Sequence, residues 1–136
     1  MDGAAALKIM KSVAVTLLLV CSACDQDPFH QRERPVLAGY ELQQWEDSKK
    51  FYLIKSGEKD NGGGVVDGTV TRIGWNGRYV VAERKANFGG DKDGWMIIDT
   101  STGTVLGPFS DVDLKSRPEM YGISIMTADQ AWHRLH

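Results

Sequence analysis

Residues 69–84 read TVTRIGWNGRYVVAER, and the architecture of the chain can be worked out from this stretch. Two runs rich in β-branched and aromatic residues, 69–75 and 78–84, flank the dipeptide Asn76-Gly77. Asn-Gly between such runs is the strongest short signal of a β-hairpin, because both central residues of a type I′ turn have positive φ. The sequence therefore predicts an antiparallel hairpin with a type I′ turn at Asn76-Gly77.

Two further hairpins are predicted on either side of this one. Each consists of two β-prone runs joined by a short turn, 40–45 with 51–55 and 95–99 with 104–106. Gly103 suits a left-handed bulge position in the last turn, and Gly107-Pro108 is expected to end the last strand, because proline cannot donate to a β-ladder. Three consecutive hairpins predict an antiparallel meander of five to seven strands, with one face buried and the other in water.

The pattern changes from strand to helix in the last part of the chain. Ser110 precedes two acids and a later lysine, as the N-cap of a short helix does. Thr127 and Gln130 have the spacing of a capping box, which opens a second helix that runs to Leu135. Its apolar residues share one face and can pack on the sheet. The predicted fold class is α+β, mostly β, an antiparallel meander of three hairpins with short C-terminal helices.

Composition limits the size and the function classes of the chain. Its 136 residues suffice for one compact domain. The 16 basic and 18 acidic residues give a net charge of −2, so the surplus of positive charge that a nucleic-acid binder needs is missing. The 15 glycines and four tryptophans favour a turn-rich β protein with an aromatic core.

The first 23 residues have the layout of a secretory signal peptide. Lys8 and Lys11 form a positive region, and the uncharged apolar run 13–20 follows it. This run is shorter than the roughly 20 residues that span a bilayer. The signal starts at Met1 or, in a more ordinary arrangement, at Met10.

The stretch Val20-Cys21-Ser22-Ala23-Cys24 resembles the lipobox of bacterial lipoproteins. The resemblance implies cleavage before Cys24, transfer of a diacylglyceryl group to its sulfur, and acylation of its new amine, for example with palmitate. Cys21 stands where that family usually has an aliphatic residue, and the alternative is a plain signal peptide that is cut elsewhere. Asp25 after the cysteine resembles the retention signal of inner-membrane lipoproteins, which implies an inner-membrane anchor facing the periplasm.

These features divide the chain into three parts. Residues 1–23 are predicted to be the signal peptide, and 24–38 the lipidated cysteine with a flexible tether. Residues 39–136 are predicted to form a single β-rich domain with C-terminal helices. Loss of Cys21 with the signal and acylation of Cys24 would leave this domain without thiols, so it would be stabilised by packing alone.

Residues 39–117 resemble a group of small bacterial lipoproteins whose domain has no assigned function. The matching positions are turn and core residues: Gly39, Tyr40, Leu42, Trp75, Asn76, Tyr79, Val80, Val81, Ala82, Trp95, Ile97, Ile98, Asp99, Thr102, Gly103, Gly107 and Pro108. The likeness implies a β-rich domain of the cell envelope and implies no activity. The segment from Ile123 onward is expected to be an addition to this domain.

Few residues suggest a chemical site. No catalytic residue, metal ligand or cofactor site is predicted, since the three histidines lie in the tether and the last four residues. Trp45, Trp75 and Trp95 are candidate ligand-facing aromatics, although core packing is expected for at least two of them. Acids in or beside strands cannot be paired from the sequence, because inter-strand register is unknown: Glu41, Glu46, Asp67, Glu83 and Asp99.

Two functions from different classes are consistent with this pattern. The favoured one is a non-catalytic binding or interaction module, anchored to the lipid bilayer through acylated Cys24 and contacting an unknown envelope protein. The alternative is a small envelope hydrolase or carbohydrate-binding domain that uses strand aromatics and carboxylates. Neither involves nucleic acid.

Overall fold

A computed structural model describes residues 32–46, 48–58 and 62–136. The predicted signal peptide and Cys24 lie outside this part of the chain. Within it, the helices and strands are β1 (Arg32–Leu37), β2 (Tyr40–Gln44), β3 (Phe51–Lys55), β4 (Gly68–Trp75), β5 (Tyr79–Ala86), β6 (Gly94–Asp99), β7 (Val105–Phe109), α1 (Asp111–Lys115), β8 (Met126–Thr127) and α2 (Ala128–Arg134). Short 3₁₀ turns lie at Gly64–Val66 and Pro118–Met120.

The strands form two antiparallel sheets. One has the order β1-β2-β3 and the other the order β7-β6-β5-β4-β8. All three predicted hairpins are present, as β2–β3, β4–β5 and β6–β7. The mostly-β fold class with short C-terminal helices is therefore confirmed, and the hairpins are distributed over two sheets.

The main core combines side chains from both sheets and from α2. Its fully buried members include Leu42 and Leu53 from the three-stranded sheet and Ile73 and Val80 from the five-stranded sheet. The helix contributes residues 128, 131 and 132 to the same cluster. Large aliphatic side chains meeting from two sheets and a helix supply the apolar burial that stabilises a small domain.

A second core covers the opposite face of the five-stranded sheet. Val81, which lies between two residues of the main core on β5, packs here with Trp95, Ile97 and Leu114. The segment from α1 to residue 125 covers this face, so the sheet is buried on both sides. The prediction of one wet face is wrong for this sheet. The uninterrupted apolar run 95–98 is the sequence signal of such a strand, since alternation is lost when both faces are buried.

Strand β1 corrects the predicted tether and domain boundary. Arg32–Leu37 pairs with β2, so the ordered β structure begins before residue 39. Arg34 donates from Nη1 to the carbonyl oxygens of Trp132 and, at 3.1 Å, Leu135. Its guanidinium lies 4.2 Å from the centre of the Trp132 ring. The last carbonyls of a helix have no partner within the helix, and the arginine supplies one.

Helix α2 corrects the expectation of an added tail. Ala128, Ala131 and Trp132 are buried in the main core, and the rings of Trp132 and Phe51 lie 5.8 Å apart. The predicted capping box is present, because Thr127 and Gln130 each bond the other's backbone N–H. Ser110 likewise caps α1, as predicted.

The turn at Asn76-Gly77 differs in type from the prediction. Neither residue has positive φ, so the turn is not type I′. The Asn76 side-chain oxygen instead accepts from the backbone N–H groups of Arg78 at 2.9 Å and Tyr79 at 2.7 Å. The side chain thus supplies the turn geometry that the prediction assigned to the backbone.

Strand β7 continues through Gly107-Pro108, contrary to the expectation that it would end there. The strand lies at the edge of its sheet, where a proline nitrogen needs no ladder partner. Gly103 has φ +78°, as the predicted left-handed position requires. Among the described residues, no helix is long and apolar enough to cross a membrane.

Candidate functional site: a groove at the end of the five-stranded sheet

An open groove of about 760 Å³ lies where β5 ends and β6 begins, beside the end of β7. It mixes acidic, basic and aromatic side chains. The residues that line it are Thr71, Glu83, Arg84, Lys85, Lys92, Asp93, Gly94, Trp95, Pro108, Phe109, Ser110 and Asp111.

The Glu83 carboxylate is held by hydrogen bonds from β4. Arg72 donates to it from both Nε, at 3.2 Å, and Nη2. Thr71 Oγ1 donates to Oε1 at 2.7 Å. A fork of two parallel bonds from a guanidinium favours the ionised carboxylate, and Arg72 accordingly lowers the pKa of Glu83. The same bonds raise the pKa of Arg72.

Arg72 also connects this pair to the inner wall of the groove. Its guanidinium lies 4.8 Å from the centre of the Trp95 ring and 3.5 Å from Asp111 Oδ1. Trp95 Nε1 donates to the same Asp111 oxygen at 2.6 Å. This bond gives the buried indole N–H its partner. The carboxylates of Glu83 and Asp111 are therefore both occupied by groups of the protein.

Arg84 is the buried cation of the groove. Its side chain is 8% exposed and donates to two backbone carbonyl oxygens, those of Lys92 at 3.0 and 3.1 Å and of Val66 at 2.9 Å. Within the described part of the chain it has no carboxylate partner. Carbonyl dipoles satisfy these N–H groups but leave the positive charge without a counter-ion from the described residues.

Two exposed lysines, Lys85 and Lys92, lie beside this arginine. Neither forms an ion pair with another described residue. The loop that carries Lys92 is fixed at its base by Arg84 and by the Ala86 N–H, which donates to Asp93 Oδ1 at 2.8 Å. Both lysines thus extend from a defined framework, and their charges add to that of Arg84.

Gly94 brings the two walls of the groove close together. Its φ is +150°, and a Cβ at this position would lie 2.9 Å from Pro108 Cβ and 3.0 Å from the Phe109 carbonyl oxygen. Only glycine accommodates both the backbone angle and the contact. The groove presents Arg84, Lys85 and Lys92 beside Asp93, whose bond to a neutral N–H leaves its charge in place, and beside Glu83 and Asp111, which Arg72 engages.

The three predicted aromatics do not form one surface. Trp45 lies at the end of β2 and is 41% exposed. Trp75 is half-buried against the main core, whereas Trp95 is 3% exposed in the second core on the opposite face of the sheet. Only Trp95 lies in the groove, where little of its ring is accessible.

The five predicted acids are also dispersed, and only Glu83 lines the groove. Asp99 forms a forked ion pair with Arg78 at 2.8 and 3.2 Å, which lowers the pKa of Asp99. Glu41 accepts from Ser56 at 3.1 Å. Asp67 and Glu46 occupy left-handed turn positions.

No group of three or more potential metal ligands occurs in the described ranges. His133 lies 3.7 Å from Asp129 on α2.

The sequence interpretation missed the basic residues of the groove. Arg84 is two positions beyond Ala82 and four beyond Val80, and both of these face the main core. An arginine on the core-facing side of a strand indicates a buried and bonded charge, and this signal was present in the pattern. Lys92 and Asp111 carried no such signal, because a loop and the start of α1 bring them to the groove.

Comparison with known proteins gives a family and no activity. A family model described as "Protein of unknown function (DUF3997)" matches residues 37–128. No curated protein and no solved structure matches the chain. The matched segment extends from the end of β1 to the start of α2 and contains every residue that lines the groove. The chain belongs to the DUF3997 family of proteins of unknown function.

Proposed function

We propose that this chain is a lipid-anchored protein of the bacterial envelope whose β-rich domain is a non-catalytic binding module. The groove beside Arg84 is its binding surface, and the ligand is an acidic segment of a partner protein. The anchor is Cys24, acylated after removal of the leader, and it holds the domain at the inner membrane, facing the periplasm.

The binding role is supported by a difference in pairing between the acidic and the basic side chains of the groove. Glu83 and Asp111 are engaged by Arg72 and Trp95, whereas Arg84, Lys85 and Lys92 have no carboxylate partner among the described residues. Asp93 offsets one of these charges, and the remaining positive charge attracts and orients carboxylates. An acidic peptide segment supplies them in an extended form that an open groove admits.

The state of the acids favours binding over hydrolysis. A general acid needs a raised pKa, and Arg72 moves the pKa of Glu83 in the opposite direction. A sugar-binding site needs an accessible aromatic face, and Trp95 is 3% exposed. The alternative of a small envelope hydrolase or carbohydrate-binding domain therefore has less support.

The groove is tested by titrating the purified protein with a hexaglutamate peptide and following heat or tryptophan fluorescence. We expect Lys85→Glu and Lys92→Glu each to weaken binding at least about fivefold, which corresponds to ~1 kcal/mol. Lys55→Glu makes the same change of charge on the three-stranded sheet and serves as the matched control. Equal affinities for all three variants, or binding of a peptidoglycan fragment but not of the peptide, would contradict the proposal.

Anchoring is tested separately with Cys24→Ala. The lipoprotein hypothesis requires the native chain to fractionate with membranes, and the variant to lack both the acyl chains and the cleavage that the lipobox cysteine directs. A mass measurement on the purified native chain provides the control, since it must show cleavage before Cys24 and the added acyl mass. Cleavage of the variant at the same bond, or a bare thiol on the native chain, would count against the anchor.

A further inference from the structure

We propose that the β2–β3 turn is a membrane contact, in which Trp45 enters the headgroup region of an anionic bilayer and Lys49 and Lys50 lie against its phosphates. The inference rests on the proposed anchoring at Cys24 and adds a second point of attachment. It gives the domain a fixed orientation on the lipid surface and leaves the groove as a separate site.

The register of the three-stranded sheet places this turn beside the point where the chain enters the domain. Arg32, the first residue of β1, pairs with Gln44 at the end of β2, and Gln44 pairs with Phe51 at the start of β3. Trp45 to Lys50 connect these last two positions. The turn and the incoming chain therefore share one end of the sheet.

The length of the chain before β1 limits the distance of this end from the membrane. Seven residues, 25–31, separate Cys24 from Arg32. Even fully extended, the eight Cα–Cα steps from Cys24 to Arg32 reach only about 28 Å. A domain held this close, with its entry point beside the turn, brings the turn to the lipid surface more readily than its opposite end.

Hydrogen bonds define the backbone from which Trp45 extends. The Trp45 N–H donates to the Lys50 carbonyl oxygen at 3.0 Å, and its own carbonyl accepts from the Ser48 N–H at 3.0 Å and from the Ser48 hydroxyl. Gln44 Nε2 donates to the Ser48 carbonyl oxygen at 3.0 Å. The indole is 41% exposed although its backbone is fixed. Little conformational entropy is then lost when the ring enters an interface.

The composition of the turn fits the interfacial region better than a protein partner. Tryptophan is enriched at membrane–water interfaces because its ring is amphipathic, and lysines bind anionic headgroups. Lys49 and Lys50 are exposed and without ion pairs among the described residues. Glu46, and Asp47 by sequence, offset the net charge of the turn, so Trp45 supplies most of the contact and the lysines contribute through direct contact with anionic headgroups.

The test uses the full chain with Cys21→Ser, so that Cys24 is the one thiol in the sequence. Cys24 is coupled to a maleimide-bearing phospholipid in vesicles of phosphatidylethanolamine and phosphatidylglycerol, with or without chain-brominated lipid. Coupling makes the test independent of natural acylation. We expect brominated lipid to quench tryptophan fluorescence, and Trp45→Phe to lose most of that quenching. Trp75→Phe is the matched control and should retain it.

A second variant tests the role of the lysines. Lys49→Gln with Lys50→Gln should reduce the quenching, and replacing phosphatidylglycerol by phosphatidylcholine should have the same effect on the native turn. Quenching that is unchanged in Trp45→Phe would overturn the membrane contact while leaving the anchor intact. A bare thiol at Cys24 of the native chain would overturn the anchor and leave the result with coupled protein unaffected.

Discussion

Arg72 is the residue through which the charges of the groove are connected. One guanidinium serves the Glu83 carboxylate, the Asp111 carboxylate and the face of Trp95. Arginine suits this position because its planar group can bond in its plane and stack on its face at the same time. The consequence is that β4, β5, β6 and α1 meet at a single side chain, which fixes one wall of the groove.

The ion pair of Arg72 and Glu83 should make stability depend on pH. The pKa of Glu83 is lowered from its ordinary value of 4.5, chiefly by the hydrogen bond from Arg72. A lowered folded-state pKa stabilises the fold above pH 4.5, and this gain is lost as the pH falls through the folded-state value. We expect Glu83→Gln to reduce the unfolding free energy by about 0.5–1 kcal/mol at pH 7, since the pair is partly exposed.

Urea unfolding of both proteins between pH 7 and pH 3 measures this effect. The difference between native and Glu83→Gln should shrink toward the acidic end of the series. Glu58→Gln is the control, because it removes a carboxylate that is 67% exposed and lies 3.6 Å from Lys55. A constant difference at every pH would show that the glutamine acts through packing and not through charge.

The turn at Asn76 leads to a specific expectation for substitution of Gly77. Gly77 does not have positive φ, and a Cβ there would meet nothing within 4 Å. Gly77→Ala should therefore change the unfolding free energy by less than about 0.5 kcal/mol. Gly103→Ala provides the comparison, since φ of +78° makes alanine cost ~1 kcal/mol there. Equal losses for both variants would indicate that Gly77 has positive φ, as in a type I′ turn. That result would contradict the turn formed by the Asn76 side chain.

At the scale of elements, local signals were sufficient for the hairpins and insufficient for the sheets. Each hairpin joins neighbours in sequence, so two β-prone runs and a turn identify it. The division into two sheets depends on non-local contacts, such as β8 pairing with β4 across more than fifty residues. Sequence patterns do not encode such contacts directly, and the second core formed by the 110–125 segment was missed for the same reason.

Strand β1 shows how composition can mislead about an element. The stretch from Arg32 to Pro35 is charged and contains proline, which indicates a tether in isolation. It pairs with β2 as an edge strand, where charged residues and proline are common because they discourage further pairing. The groove could likewise not be predicted from the sequence, because its residues come from β4, β5, β6, β7, α1 and the loop between β5 and β6.

At the scale of the whole molecule, strand β1 and helix α2 contact each other. Arg34 of β1 bonds the end of α2, and Trp132 of α2 packs on Phe51 of β3. The family match covers residues 37–128 and thus omits most of both elements. The packing indicates that the folding unit is longer than the matched segment at each end, because the main core includes side chains from α2 and Val36 of β1 packs against it.

Replacing Trp132 tests the extent of the folding unit. Its side chain is 3% exposed, so Trp132→Ala leaves a large cavity and should cost about 3–5 kcal/mol in chemical unfolding. That is a large part of the ~5–15 kcal/mol unfolding free energy typical of a domain, and the variant should unfold at a much lower urea concentration. Trp45→Ala removes the same side chain from a 41% exposed position and should cost less than about 1 kcal/mol. If both variants unfold together with the native chain, α2 is an appendage and the domain ends near residue 128.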